Sequence, residues 1–371
     1  MDDVNVLTQD PSATARAGTA AKLAQQFNAA TFNPQELKLA EEIFRIMVQD
    51  AEVRVREALS ANLKHNLLLP HDVAVALAKD VDTVALPVLL ASEVLTPEDL
   101  VQIVRSQGTP SRLDAVAGRK SVDARVAAAI VDVGSESVVA KLLANPGADF
   151  AEPTLHKVVD RFGDSEAVQA PLVHRSALPV TVAERLVTHV AEHLRAYLLA
   201  NHKISADLAL DLVLQSRERV TVGLAMGVNE AALAALVLQL KDNKRLTGSL
   251  VLRAICMGNL RFFEHAVGAL AGVSVGNSRI LIHDPGHRGL TNLWIKAHLP
   301  ATYLPAVQAA LDVIAQTDLA GLDQDPERYS RRIIERILTQ YEKIGVEFND
   351  DDLEYLLAKV NQLPPASLNV H

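Results

Sequence analysis

A single cysteine, Cys256, stands in a chain of 371 residues, so no internal disulfide can form. With nothing pointing to an oxidising compartment, a cytoplasmic setting is the expectation. Aromatic residues make up only 4% of the chain, whereas strand-rich proteins are enriched in aromatic and β-branched residues. No run of about 18 consecutive apolar residues occurs, so no membrane-spanning helix is expected. The opening MDDVNVLTQD is acidic and polar and lacks the form of a signal peptide. Basic residues are outnumbered, 36 against 45 acidic, for a formal charge of −9. Nucleic-acid binders need a basic footprint, so that class is disfavoured. The sequence also contains no P-loop, no Gly-x-Ser-x-Gly elbow, no His-Glu-x-x-His and no Cys-x-x-Cys. No catalytic residue and no cofactor is therefore assigned.

What remains is a chain that is 49% hydrophobic and 22% charged, a globular balance. Ser12 to Asn28 reads as a weak, Ala-rich helix. At Asn33-Pro34-Gln35-Glu36 a cleaner helix start follows, with a capping side chain, a proline at the first helical position and an acid three residues on. From residue 50 the chain repeats a pattern of short apolar helix, break, cap-like residue and second apolar helix. Units run over 50–80, 80–108, 110–134, 135–163 and 164–190, with a candidate sixth over 192–216. One apolar anchor per first helix gives Leu59, Leu90, Val116, Leu143, Leu172 and Leu199, spaced by 31, 26, 27, 29 and 27 residues. Helical pairs at such a period read as an α-solenoid, because one pair cannot bury its own apolar face. Pro70, Pro97, Pro153 and Pro179 fall at second-helix starts. Gly108, Gly134 and Gly163 fall at second-helix ends, where a left-handed residue is expected.

The predicted fold is all-α: a solenoid of short helical pairs followed by a packed C-terminal helical half. The expected segments are an arm and weak helix over 1–34, the repeats over 35–217, a helical domain over 218–363 and a loose tail over 364–371. Residues 318–371 hold 11 acids against six bases, over half of the net charge.

Asp50-Ala51-Glu52-Val53-Arg54 followed by Ala58-Leu59 resembles the Asp-x-x-Val-Arg signature of HEAT-like repeats, whose Asp and Arg form a polar ladder along the stack. The run LPHDVAVALAKDVDTVALPVLLASEVLTPEDLVQIV (69–104) is similar to an alphaproteobacterial family classed as a domain of unknown function. That family has N-terminal HEAT-like pairs and a C-terminal helical half. Gly258, Phe262-Phe263 and the stretch from Arg279-Ile280-Leu281 to Leu299-Pro300 resemble that half. The resemblance implies a fold and a bacterial, cytoplasmic setting, and no activity.

The one chemical cluster of note is His283-Asp284-Pro285-Gly286-His287-Arg288. His283, Asp284 and His287 are candidate metal ligands, with His265 and His298 near in sequence. Arg279 and Arg288, with Lys296, are candidate anion-binding residues. The bland alternative is a polar inter-helix turn bearing ordinary surface cations. His189 and His193 are four residues apart, with His202 following; solvated or capping roles are expected for them. Phe262, Phe263, Trp294 and Cys256 are expected in the core. Arg328, Arg331, Arg332 and Arg336 alternate with Glu327 and Glu335 as a solvated helix face.

These observations point first to a non-enzymatic scaffold or regulatory adaptor. A protein partner would be held by side chains displayed from successive second helices, and homo-oligomers are compatible with the same surface. The alternative is a sensor or metal-dependent enzyme that binds a metal or a phosphorylated small ligand near residues 279–288.

Overall fold

The computed structural model describes residues 12–29, 33–175, 177–201 and 206–319, together with 335 and 339. The acidic segment after 319, the loose tail, the arginine stripe at 328–336 and His202 lie outside the described residues, these two positions apart. Among the described residues there are 19 α-helices, one 3-10 turn and no strand, so the chain is all-α. It divides into two compact units, Met1–Leu178 and Pro179–His371.

The first unit begins with α1 (Ala13–Ala29) and α2 (Pro34–Met47). It continues through α3 (Val53–Leu63), α4 (His71–Ala78), α5 (Asp82–Ala91), α6 (Pro97–Gln107), α7 (Pro110–Ala117) and α8 (Ala124–Val133). It ends with α9 (Glu136–Ala144), α10 (Glu152–Phe162) and α11 (Glu166–Val173). Local chemistry starts these helices where the sequence predicts. Asn33 accepts from the N–H groups of Gln35 and Glu36 while Glu36 bonds back to the Asn33 N–H. Thr96 and Asp99 form the same reciprocal box ahead of α6. Each box satisfies N–H groups that no helical carbonyl can reach.

Packing skips one helix at each step. α1 packs on α3, α3 on α5, α5 on α7, α7 on α9 and α9 on α11; α6 packs on α8 and α8 on α10. First helices thus stack on first helices and second on second, a solenoid-like arrangement with the core between the layers. Leu59, Val116, Leu143 and Leu172 are buried as expected. In α5 the core position belongs to Leu89, fully buried, while the expected anchor Leu90 is 46% exposed. Gly108, Gly134 and Gly163 do end second helices, but with φ of −71°, −70° and −60°, so the left-handed expectation fails. Glycine is used at two of them for close approach instead. A Cβ at Gly108 would lie 2.3 Å from the Val104 carbonyl oxygen, and one at Gly134 2.7 Å from that of Ile130.

A polar ladder does run along the unit, made of other residues than the Asp50/Arg54 pair. Asp50 pairs with Arg16, and Arg54 is exposed. It is Arg56 that reaches the next repeat, at Asp80. Further on, the rungs end on main-chain oxygens. Arg119, 8% exposed, donates to the carbonyls of Leu89 and Ser92 at 2.6 and 2.7 Å. Asn145 donates to those of Ala117 and Arg119 at 2.9 and 2.8 Å. Arg175 donates to Leu143, Asn145 and Ala148. Each donor caps the C-terminal end of a first helix one repeat earlier, where carbonyls have no helical partner.

The second unit contains α12 (Val180–Asn201), α13 (Ala206–Leu224), α14 (Glu230–Asp242), α15 (Gly248–Cys256) and α16 (Leu260–Ala271). It continues with α17 (Val275–Ile282), α18 (Arg288–Lys296), a 3-10 turn over Ala301–Tyr303 and α19 (Leu304–Leu319). The expected sixth repeat over 192–216 is not a short pair here: its start lies inside the unbroken α12, and its anchor Leu199 is 40% exposed. The expected boundary near 217 likewise lies inside α13.

Phe262, Phe263 and Trp294 are buried in this unit, with Phe263 and Trp294 stacked at 6.5 Å and the indole N–H donating to the Pro300 carbonyl. Cys256 is buried as well. Two buried carboxylates tie the long helices down. Glu184 of α12 meets Arg245 at 2.5 Å and accepts from Gln239 at 2.9 Å. Glu218 of α13 meets Arg253 at 2.6 Å and accepts from Thr247 and Ser249.

Two outcomes are expected on denaturation. Arg119→Met leaves two buried carbonyls without their donor and lowers stability by about 2–4 kcal/mol, while Arg54→Met, on an exposed side chain, changes it by less than about 0.5 kcal/mol. Arg253→Met strands the Glu218 carboxylate in the interior and costs about 3–5 kcal/mol, part of which Glu218→Gln in the same chain restores. Urea melts followed by circular dichroism measure both.

Candidate functional site

The residues singled out between 279 and 288 separate into two groups. Arg279 lies in the last turns of α17, and His283 follows as its C-cap residue, so an i,i+4 step places both on one face. That face meets α16, where Arg261, Glu264 and His265 are also spaced for a shared side, and the first residue of α14, Glu230. Glu264, 7% exposed at its side chain, accepts from Arg279 Nε at 2.7 Å and lies 2.8 Å from His283 Nε2. Arg279 Nη2 reaches on to Glu230 at 2.7 Å. Glu230 also meets His265 Nε2 at 2.8 Å and Arg261 at 3.1 Å. The hydrogen bonds from His265, Arg261 and Arg279, in that order, hold the Glu230 carboxyl down at about 2. Arg279 in turn is raised, first by Glu264 and then by Glu230.

The remaining predicted residues lie elsewhere. Asp284 accepts the Gly289 N–H at 3.0 Å, ahead of α18. His287 sits at the N-cap of α18 with a left-handed φ of 52° and turns Nε2 to Asp312 at 3.2 Å. Arg288 and Lys296 are exposed. His283, Asp284 and His287 thus face three different partners. No group of three or more His, Cys, Asp or Glu among the described residues is placed to hold a metal.

The cluster at Glu230 and Glu264 is a clamp. Two carboxylates are shared by two arginines and two histidines, and the bonds join α14, α16 and α17. Glu230, Glu264 and Arg261 were missed in the sequence because they lie 19 to 53 residues from His283; the available signal was the i,i+4 spacing of Arg261 and His265, which repeats at Arg279 and His283.

The repeat unit offers a different kind of surface. Along the second helices, charges pair from one repeat to the next: Arg45 with Asp72, His71 with Asp99, Glu98 with Arg125, and Lys157 with Asp132. Along the first helices lies a groove of about 700 Å³ that crosses α5, α7 and α9. Leu86, Pro87, Leu90 and Val138 supply its apolar lining, and Lys64 and Lys141 its cations. Lys141 is bonded to Asp114 at 2.6 Å. A second hollow, of about 660 Å³, lies on the second helices α6 and α8, the layer from which the sequence reading expected display.

The clamp makes stability depend on acid in a defined direction. Glu230 titrates at about 2 in the fold against an ordinary value of 4.5. Its contribution is fully present above that ordinary value and is lost as pH falls toward 2. Glu230→Gln should therefore fall furthest below the parent in melting temperature near neutrality, with the gap narrowing on acidification. Parallel curves in scanning calorimetry would contradict the assignment.

No curated protein matches the chain, and no solved structure matches it. A family model does: the one described as uncharacterised protein conserved in bacteria (DUF2336) matches residues 84–347. The match begins within α5 and so takes in part of the repeat unit as well as the clamp. With well over half of its length covered, the chain belongs to this bacterial family of uncharacterised proteins.

Proposed function

We propose that the chain is a non-enzymatic scaffold or regulatory adaptor that holds a protein partner on its helical-repeat surface. The observation that carries this reading is the contrast between the two layers of the first unit. Most charges on the second helices pair with neighbouring repeats, Arg105 in the α6–α8 hollow staying largely exposed, while the groove on the first helices keeps Leu90 open to solvent and Lys64 without an ion-pair partner among the described residues. A surface that crosses several repeats suits an extended protein contact better than a small substrate. Repeats of HEAT-like type, in a cytoplasmic protein of alphaproteobacterial origin, fit the run over 69–104 and belong to the same proposal. No helix among the described residues is long and apolar enough to cross a membrane.

In the clamp, Arg279 and His283 are already engaged by carboxylates, and of the candidate anion-binding residues Arg288 is exposed outside it. Affinity capture of the full chain from native bacterial lysate, with lysine cross-linking and mass spectrometry, tests the proposal. The expected result is a specific protein cross-linked through Lys64 or Lys141. A chain that captures no protein, yet gains thermal stability from a divalent metal or phosphate and loses that gain in His283→Ala, would favour the sensor or enzyme instead.

A further inference from the structure

We infer that the groove across α5, α7 and α9 takes a short extended segment of a partner protein that presents one aliphatic side chain and one carboxylate. The inference deepens the scaffold reading and rests on it. Four observations support this occupant. First, Leu90 is 46% exposed although its neighbour Leu89 is fully buried, so an aliphatic contact is on offer in the groove. Pro87 beside it has no N–H, which leaves the Thr83 carbonyl without its helical donor.

Second, the charge in the groove is unbalanced. Asp114 is the one carboxylate in the lining, and Lys141 neutralises it through both its side chain and its main-chain oxygen. Lys64, which caps the C-terminal end of α3, has no ion-pair partner among the described residues. The groove therefore offers a net positive charge in a chain whose total is −9. Such a site selects a carboxylate against the background field of the rest of the molecule.

Third, the hydroxyl of Ser111 lines the same wall without a partner among the described residues. It can serve a peptide group of an extended segment. Fourth, the size fits. Helices that pack directly are about 8–10 Å apart, so from α5 to α9 the groove spans about 16–20 Å. At about 3.3 Å per residue, that holds five or six extended residues.

Selection of random 12-residue peptides displayed on phage against the full chain tests this. The expected consensus has Leu, Ile or Met within about five residues of Asp or Glu. The synthetic consensus peptide, followed by fluorescence anisotropy, should bind at least about tenfold more weakly to Leu90→Asp and to Lys64→Glu. Both variants should stay folded, with melting temperatures within a few degrees of the parent, since neither side chain is in the core and a reversed charge at the end of α3 costs only about 0.3–1 kcal/mol. A peptide with Lys in place of its acid should bind Lys64→Glu better than it binds the parent.

Selection of basic or purely polar peptides would overturn the inference, as would a consensus whose affinity neither variant changes. Failure to select any peptide would also overturn it. If the full chain still captures a protein partner through other lysines, the scaffold reading survives that failure. If it captures none, both fall together.

Discussion

The carbonyl groups at the C-terminal ends of the first helices are the constraint on which the repeat unit depends. A helix leaves its last four carbonyls without internal partners, and a buried orphan carbonyl costs about 1–3 kcal/mol. Water can serve such groups at the surface, but not between stacked layers. For α5, α7 and α9 the donor comes from the following repeat, whereas α3 is served at Asn62 by Asn28 of the earlier helix α1. Arg119 serves α5, Asn145 serves α7 and Arg175 serves α9. The donors lie 26 and 30 residues apart, close to the period of the apolar pattern. The period is thus set twice, once by the apolar face and once by the reach of a side chain. A repeat is incomplete in both respects until the next one is in place, which is the physical content of a solenoid.

The second unit solves a related problem with paired charges. Glu184 and Glu218 are buried in α12 and α13, and each is held by an arginine from the segment around α14 and α15. Burial of such pairs stabilises little on balance but heavily penalises any packing that separates them. Glu230 and Glu264 extend the device to α14, α16 and α17 with histidines as additional partners. Charge spent in this way is unavailable to a ligand. The same holds on the second helices of the repeat unit, where Asp72, Asp99 and Arg125 each answer a charge one repeat earlier. In the groove on the first helices Lys64 stays unpaired among the described residues beside the exposed Leu90, and the functional reading follows from that pair.

Features set within a few residues were legible in the sequence. The capping box at Asn33 depends on an i,i+3 relation and forms as read, and Thr96 makes a box of the same kind. The all-α class followed from apolar spacing over many residues. What failed was decided at longer range. Val88-Leu89-Leu90 is apolar throughout, so spacing alone could not choose between Leu89 and Leu90 as the core position. Leu199 continues the period after Leu172, yet no turn residue interrupts 180–201, and one long helix forms in place of two short ones. Gly108 and Gly134 occupy the expected helix ends for a different reason, the proximity of the preceding turn's carbonyl. Arg119 and Arg175 look like ordinary cations in sequence, because a carbonyl acceptor about 27–32 residues away leaves no trace in composition. The same distance problem hid Glu230 and Glu264 from a search centred on His283, Asp284 and His287.

Across α5, α7 and α9 each first helix is completed by a donor of the next helical pair. Hydrogen exchange read by mass spectrometry on the full chain, comparing the parent with Arg175→Met, addresses it most directly. Arg175 follows α11, but the carbonyls it serves belong to Leu143, Asn145 and Ala148. Exchange should be faster in α9 and at the backbone bridge between Val122 and Ala148, one repeat before the substitution. Faster exchange confined to α11, with α9 as protected as in the parent, would contradict it.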